Sequence, residues 1–327
     1  MSAVCLISSP GLSLGLPLSC DSVMQLLLLS VVLLPAVLSQ CLIDPDNEAH
    51  WPEWPPVLTD EVGDFILPTG TDNARQISLG AGQVMVLSCG AGGEFEQEQS
   101  WGSGPLYARC QAGQDFSVWP EGSDPVSQSF SSLGCRSQPA DSNEVVATCG
   151  PQQEAKEIQI GFDVRSSEGL ESVTVTVCYD TARSANLWSR HSLWDEISAR
   201  DHGNDSPAFK PDQYFDFDVN HFYTMDQQRI TIAELVRSQD LADHYVQDFE
   251  SDLYLARGHM SPNADFIFYS WMDATYHFIN VSPQWQAFNG GNWMYFENGV
   301  RDFVVERQMD IVVYTGGMIF MTTFDYL

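Results

Sequence analysis

The chain has 327 residues, 44% of them hydrophobic, and 14 basic against 44 acidic residues give it a formal net charge of −30. This length suits one large domain or two moderate ones. So large an acidic excess excludes a protein that coats nucleic acid through a broad basic face. It remains compatible with an enzyme that binds a few phosphates locally and uses a cation for the remaining positive charge.

The N-terminal region contains a strongly apolar run at residues 24–34, which small residues follow at 36–39. The run is too short to span a bilayer comfortably and lies near the start of the chain, so it predicts a signal peptide cleaved near Ser39. We interpret residues 1–39 as an N-terminal extension plus signal peptide, with Met24 as the initiator. The alternative is a retained signal anchor. The prediction is a secreted protein without stable membrane association, and the digestive lumen is one compartment that fits.

Six cysteines remain after this cleavage: Cys41, Cys89, Cys110, Cys135, Cys149 and Cys178. An even number in an oxidising compartment predicts three disulfides, whose pairing the spacing leaves open. Five of the six lie in residues 40–150, which are rich in Gly, Ser, Pro and Gln and contain short β-like runs such as 84–89. This region predicts a small disulfide-rich β domain. No cysteine or histidine spacing typical of zinc is present.

The remainder, residues 151–327, contains two segments in which apolar residues alternate. They are residues 158–162 and 173–178, and period-two alternation indicates half-buried strands. Cys178 ends the second segment and could tie this region to the first. Residues 231–237 have helical spacing and predict a short helix.

A distinctive group of motifs follows. Residues 255–266 read LARGHMSPNADF, residues 280–289 read NVSPQWQAFN, and Trp293, Glu297 and Arg301 come next. This order resembles the DNA/RNA non-specific endonuclease family, the Serratia-type ββα-metal nucleases, over roughly residues 155–316. Within the family it looks closest to secreted digestive nucleases and double-strand-directed ribonucleases of arthropods.

The resemblance implies an α+β protein: a ββα-metal nuclease fold with a central antiparallel sheet, here preceded by the disulfide-rich β domain. It implies hydrolysis of DNA and/or RNA with little sequence preference, and Mg²⁺ as the cofactor, with Mn²⁺ as an alternative. His259 would act as general base and Asn289 would bind the metal. Glu297 would hold water of the metal's hydration shell, Arg257 and Arg301 would bind phosphate, and Asn280 would orient the loop or a water near the metal.

The residue types support this chemistry independently. Asn289, Trp293, Glu297 and Arg301 are spaced by four, so on an α-helix they form one stripe. A histidine can accept a proton near neutral pH, and Mg²⁺ prefers oxygen ligands. The simpler alternatives are a Glu297–Arg301 helix salt bridge and a turn role for Asn289 before Gly290. Asn280 also begins a glycosylation sequon, but we expect it to be unmodified and Asn204 to be the better acceptor.

Two departures from the family pattern motivate a second hypothesis. The segment 206–212 lacks the phosphate-binding arginine expected upstream of the site, for which Arg200 is a substitute, and the chain is short at its C-terminus. The alternative is a catalytically impaired, nucleic-acid-binding protein on the nuclease fold. A third possibility is a product that does not fold stably.

Overall fold

The computed structural model describes residues 40–70, 74–96, 101, 104–164, 170–202 and 206–316. The expected signal peptide and the sequon asparagine Asn204 lie outside these residues. None of the helices in the described ranges is both long and apolar enough to span a bilayer.

The N-terminal part of the described chain is built from short antiparallel strands. β1 and β3 form a two-stranded sheet, and the other five form a second sheet in the order β2-β4-β5-β6-β7. In β1, β3, β5 and β6 buried residues alternate with more exposed ones, so each buries one face, whereas β2 and β4 are buried along nearly their whole length. The strands are β1 (Cys41–Ile43), β2 (Val57–Thr59), β3 (Ile77–Leu79), β4 (Val84–Ser88), β5 (Leu106–Ala112), β6 (Asp115–Pro120) and β7 (Val126–Ser129).

The central sheet is antiparallel and has the order β14-β11-β10-β9-β8. It confirms the α+β class and both alternating segments, but β10 is buried along almost its entire length rather than on one face only. The reason is its central position, flanked by β9 and β11 and covered by packed elements. The strands are β8 (Ser142–Cys149), β9 (Ala155–Phe162), β10 (Ser172–Asp180), β11 (Ala185–Leu193) and β14 (Ile311–Gly316).

Beyond the central sheet, β12 (Leu255–His259) and β13 (Val281–Trp285) form a separate two-stranded sheet. The expected short helix at 231–237 is longer and begins earlier, because Thr224 caps its N-terminus by accepting a hydrogen bond from the Gln227 amide. The helices are α1 (Val219–Phe222), α2 (Met225–Val236), α3 (Gln239–Tyr245), α4 (Tyr269–Asp273), α5 (Gln286–Phe288) and α6 (Met294–Arg307). Short 3₁₀ segments span Phe130–Ser132, Asp195–Ala199, Asn263–Asp265 and Phe278–Asn280.

Three disulfides connect the six cysteines that we expected to pair. They join Cys41 to Cys110, Cys89 to Cys135 and Cys149 to Cys178. The third links β8 to β10 across β9, so Cys178 does pair with a cysteine of the N-terminal region.

The N-terminal and C-terminal parts of the chain share one hydrophobic core, which runs from Ile43 and Phe116 to Phe162 and Trp271. The domain boundary that we predict at residue 150 falls in the connection between β8 and β9, which pair with each other. It stays a prediction, and the core and the sheet are both continuous across it.

Candidate active site

The strand pair β12–β13 positions the histidine of the RGH motif. In its antiparallel register Arg257 lies opposite Pro283 and His259 opposite Val281. Because side chains alternate along a strand, Arg257 and His259 project from the same face. The chain then runs through α5 and a π-helical turn (Asn289–Trp293) into α6, so two strands and a helix carry the candidate residues.

His259 is half-buried as a side chain, but its Nε2 atom is enclosed and has no hydrogen-bond partner within the described residues. The imidazole packs 5.1 Å from the Phe209 ring and 4.8 Å from the Tyr276 ring, centroid to centroid. Burial among these rings lowers the pKa of His259 to about 4. The imidazole is therefore neutral at physiological pH, and its Nε2 is not engaged by another described residue.

Arg257 is held by aromatic rings next to His259. Its guanidinium carbon lies 4.8 Å from the Tyr223 ring centroid and 5.7 Å from that of Phe209. The Nη2 atom of Arg257 donates a hydrogen bond to Asn220 Oδ1 at 3.3 Å. Phe209 contacts both Arg257 and His259, so the structure brings a cation and a neutral base together around one ring.

The four residues spaced by four do form one stripe, but our prediction of a continuous α-helix is wrong at its N-terminal end. Residues 289–293 form the π-helical turn, and Gly291 has non-helical torsions (φ −110°, ψ −113°), so the helical path bends there. The four stripe residues are all half-buried, whereas most of the residues between them are exposed. They are Asn289, Trp293, Glu297 and Arg301.

Glu297 and Arg301 do not form the helix salt bridge considered above. Arg301 instead forms an ion pair with the buried carboxylate of Asp265 and donates to Asn298 Oδ1 at 2.7 Å. Burial raises the pKa of Glu297 to about 7; the negative charge of Asp265 adds to this rise, and Arg301 and Trp293 oppose it. Glu297 therefore exchanges a proton near neutral pH.

Asn280 is fully buried and its amide is engaged by backbone groups. Oδ1 accepts from the Ser261 amide, while Nδ2 donates to the carbonyl oxygens of Ser261 and Thr275, each at 3.0 Å. These contacts join the 3₁₀ segment directly before β13 to the residues directly after His259. They support a role for Asn280 in orienting the loop rather than in orienting a water near the metal. The burial of Asn280 is compatible with our expectation that it is unmodified.

One buried network behind the site was missed by sequence reasoning. His191, on β11, lies between Ser261 Oγ at 2.9 Å from Nδ1 and Asp265 Oδ2 at 2.8 Å from Nε2. Ser261, His191 and Asp265 are all buried, so the network shapes the loop and orients Arg301 instead of presenting a nucleophile. Nothing near His191 in the sequence points to this role.

Comparison with known proteins decides the family. A sequence model described as DNA/RNA non-specific endonuclease matches residues 153–324, just over half of the chain. The chain belongs to the DNA/RNA non-specific endonuclease family. This confirms the resemblance seen in the motifs around His259.

Three curated relatives match shorter stretches of this family member. A salivary endonuclease of Lutzomyia longipalpis is 49% identical over 63 residues, 19% of this chain and 15% of that protein. A salivary endonuclease of Culex quinquefasciatus is 38% identical over 60 residues, 16% of each chain. Salivary protein Tsal1 of Glossina morsitans morsitans is 29% identical over 101 residues, 31% of this chain and 24% of that protein. The matched stretches span less than a quarter of the relatives' lengths.

The residues on the stripe fit the magnesium ion that the family implies. The side chain of Asn289 is half-buried and makes no hydrogen bond to other described residues, which leaves its amide oxygen available. The Glu297 carboxyl, four residues beyond Trp293, is a second oxygen group on the same face. Hard oxygen donors, few in number and supplemented by water, suit Mg²⁺. The structure shows no side-chain contact between Asn289 and His259 among the described residues.

Arg200, considered above as the substitute for the missing arginine, lies on the same side of the molecule as Arg301. Both line a cleft of about 330 Å³ that also includes His202 and Asn298. Arg200 also donates to the Ala264 carbonyl at 3.4 Å. In the segment that lacks the arginine, Phe209 packs on His259 and Lys210 pairs with Asp141.

Proposed function

We propose that this nuclease-family chain is a secreted, Mg²⁺-dependent endonuclease that hydrolyses phosphodiester bonds of DNA and/or RNA with little sequence specificity. The single observation that carries the proposal is the enclosed, neutral and unpartnered Nε2 of His259, on the same strand face as Arg257. A buried nitrogen without a hydrogen-bond partner costs stability. A general base requires such a free nitrogen, because the nitrogen must accept a proton from the substrate water.

In the proposed reaction His259 accepts a proton from water as the water oxygen bonds to phosphorus. The phosphorus–oxygen bond to one sugar then breaks, and that sugar oxygen takes up a proton from solvent water. Arg257 binds a phosphate oxygen through its charged guanidinium, which the aromatic rings around it hold in position. Arg301, oriented by Asp265, binds a second one from the helix side.

Asn289 and Glu297 are the residues that we propose for the cation. Mg²⁺, when bound, supplies positive charge that offsets the charge developing on the phosphate and the leaving oxygen. Asn289 offers its amide oxygen, and Glu297 in its ionised form holds and orients water nearby. With a net charge of −30, the protein needs such local cations to accept a polyanion.

Secretion is part of the same proposal. It is supported by the apolar run at residues 24–34 and by three disulfides, which persist in oxidising compartments. The word "salivary" in the names of the relatives points in the same direction. N-terminal sequencing of protein recovered from culture medium should give a first residue near Gln40.

The function is tested by incubating the purified protein with duplex DNA, single-stranded DNA and duplex RNA, in Mg²⁺, in Mn²⁺ and in EDTA. We expect fragments of at least one substrate in Mg²⁺ and none in EDTA. Filter binding of the same substrates is measured in parallel. Binding without cleavage in either metal would replace the proposal with the impaired nucleic-acid-binding protein considered above.

A further inference from the structure

An aromatic cavity of about 260 Å³ lies beside Arg257. It is bounded by β10, by the segment that leads into α1, by α2 and by the β12–β13 pair. Its volume approaches the lower end of the range, about 300 Å³, that is usual for small-ligand pockets. Six of its lining side chains are aromatic: Tyr179, Phe215, Phe217, Phe222, Tyr223 and Phe278.

The cavity shares two of its aromatic rings with the surroundings of Arg257. Tyr223 and Phe278 line it and also contact the Arg257 guanidinium, whose central carbon lies 4.8 Å and 5.6 Å from their ring centroids. Leu255, another lining residue, projects from the same face of β12 as Arg257 and His259. A ligand in the cavity therefore lies next to the cation that we propose binds phosphate.

Two rings at the edge of the cavity are accessible to a ligand. Phe222 is 46% exposed and Phe217 is 39% exposed, and they meet edge to face with 5.1 Å between their centroids. Exposed phenylalanines that converge on a cavity are costly in water unless a ligand covers them. Their faces offer surfaces on which a planar group can stack.

The inner wall carries a polar group without a matched partner. The Tyr179 side chain is buried and its hydroxyl makes no well-formed hydrogen bond; Ser184, also a lining residue, is its polar neighbour. A buried hydroxyl without a partner can accept or donate to a ligand's polar edge.

We propose that this cavity binds the nucleobase of a nucleotide next to the scissile phosphate. Its occupant must combine a flat apolar ring system, polar ring edges and an adjacent anion, because much of the wall is aromatic, Tyr179 and Ser184 offer hydroxyls, and Arg257 packs on two of the lining rings. A nucleotide has all three features, whereas an apolar chain lacks the anion and the flat ring. The inference rests on the proposed function and specifies how that site holds its substrate.

Stacking on aromatic rings tolerates every base, which agrees with hydrolysis of little sequence specificity. A base in the cavity cannot remain stacked in a duplex at the same time, so it comes from a single strand or a locally opened duplex. We therefore expect a single strand to depend on the cavity more than a duplex does.

The direct test is calorimetric binding of deoxyadenosine 3′,5′-bisphosphate and of the corresponding base-free deoxyribose bisphosphate, both in Mg²⁺. Neither probe has a phosphodiester bond to cleave, so binding is measured apart from turnover. We expect the base-containing probe to bind about 5- to 100-fold more tightly, the range typical of one stacked base. Equal affinities for the two probes would overturn the proposal. It would also be overturned if octanoate displaced the base-containing probe and the protein showed no preference for that probe over the base-free one.

Phe222→Leu removes the aromatic face but retains apolar volume, so it tests stacking with little risk to folding. We expect it to reduce the affinity of the base-containing probe towards that of the base-free probe and to leave the base-free probe unchanged. Phe249→Leu is the matched control, because Phe249 is exposed but does not line the cavity. An equal loss for both probes, or an equal effect of Phe249→Leu, would contradict a base subsite.

Failure of the subsite and failure of the nuclease proposal give different results. A protein that cleaves nucleic acid in Mg²⁺ but binds both probes equally retains its function and loses the subsite. A protein that prefers the base-containing probe but cleaves nothing retains the subsite and loses the nuclease assignment. Thermal unfolding of each variant shows that the comparison is made between folded proteins.

Discussion

The protonation states of His259 and Glu297 depend on burial, and burial acts in opposite directions on the two groups. Desolvation disfavours the charged form, so it lowers the pKa of the imidazole to about 4 and raises that of the carboxyl to about 7. At neutral pH the histidine is therefore uncharged, while the carboxyl is near its midpoint.

This difference predicts how the rate depends on pH and on Mg²⁺. If ionised Glu297 is needed, initial cleavage rates should rise with pH around a midpoint near 7 when Mg²⁺ is scarce. A cation nearby favours the carboxylate, so more Mg²⁺ should move the midpoint to lower pH. Rates measured from about pH 5 to about pH 9 at two Mg²⁺ concentrations test this. A midpoint that stays at the same pH in both series would exclude Glu297 from the metal's surroundings.

Residue-level reasoning from the sequence found the groups with strong chemical signatures and missed those that act through distant contacts. The RGH motif and the spacing of Asn289, Glu297 and Arg301 could be recognised locally. His191 could not, because its partners Ser261 and Asp265 are about 70 residues away along the chain. Side-chain contacts over such separations leave no pattern in a single sequence.

Among the elements of the site, the close approach of β12 and β13 depends on Gly258. A Cβ at this position would lie 2.5 Å from Gln284 Cδ and 2.7 Å from its Cγ. Because Gln284 lies on the facing strand, a larger residue would displace its side chain from its position over the strand that carries His259.

Gly258→Ala should therefore lower the free energy of unfolding by about 1–3 kcal/mol and reduce the cleavage rate. Combining it with Gln284→Ala should recover part of both losses, since the second change opens the required space. Gly299→Ala is the matched control: it lies within α6, its Cβ would meet nothing, and alanine favours helices. Chemical unfolding and initial rates of the four proteins test this, and a double variant no better than Gly258→Ala would contradict the account.

The elements themselves show where sequence patterns are sufficient. Alternating apolar residues predicted β9 and β10 because the period of side chains along a strand is local. The π-helical turn at Asn289–Trp293 was not foreseen, since spacing by four fits a continuous helix equally well and says nothing about the torsions of Gly291. Six cysteines allow fifteen pairings, so the disulfides required the three-dimensional structure.

At the scale of the whole molecule, buried ion pairs join the N-terminal strands to the nuclease-family region. Arg75, next to β3, donates from Nη1 to Asp201 Oδ1 at 2.5 Å and to the Ala199 carbonyl at 3.2 Å. Asp201 also accepts from the Tyr269 amide at 2.9 Å. Charges buried in this way are costly when only one partner remains.

Arg75→Met should destabilise the protein by about 3–5 kcal/mol, because Asp201 would be left buried without its cation. Arg136→Met provides the comparison, since Arg136 and Glu94 form an ion pair in which both side chains are more than half exposed, and such pairs contribute about 0–1 kcal/mol. Urea unfolding of both variants measures the difference. Similar losses for the two would show that the interface between the regions does not depend on this pair.

The central claim, that His259 is the general base of a metal-dependent nuclease, is tested most directly by the Mg²⁺-dependent cleavage rate of His259→Gln. Its matched control is His244→Gln, at an exposed histidine on α3. With both variants folded, we predict that His259→Gln lowers the rate by about 10²- to 10⁴-fold, the usual contribution of general base catalysis, and that His244→Gln leaves it unchanged. Cleavage by His259→Gln at the rate of the unaltered protein would contradict the account.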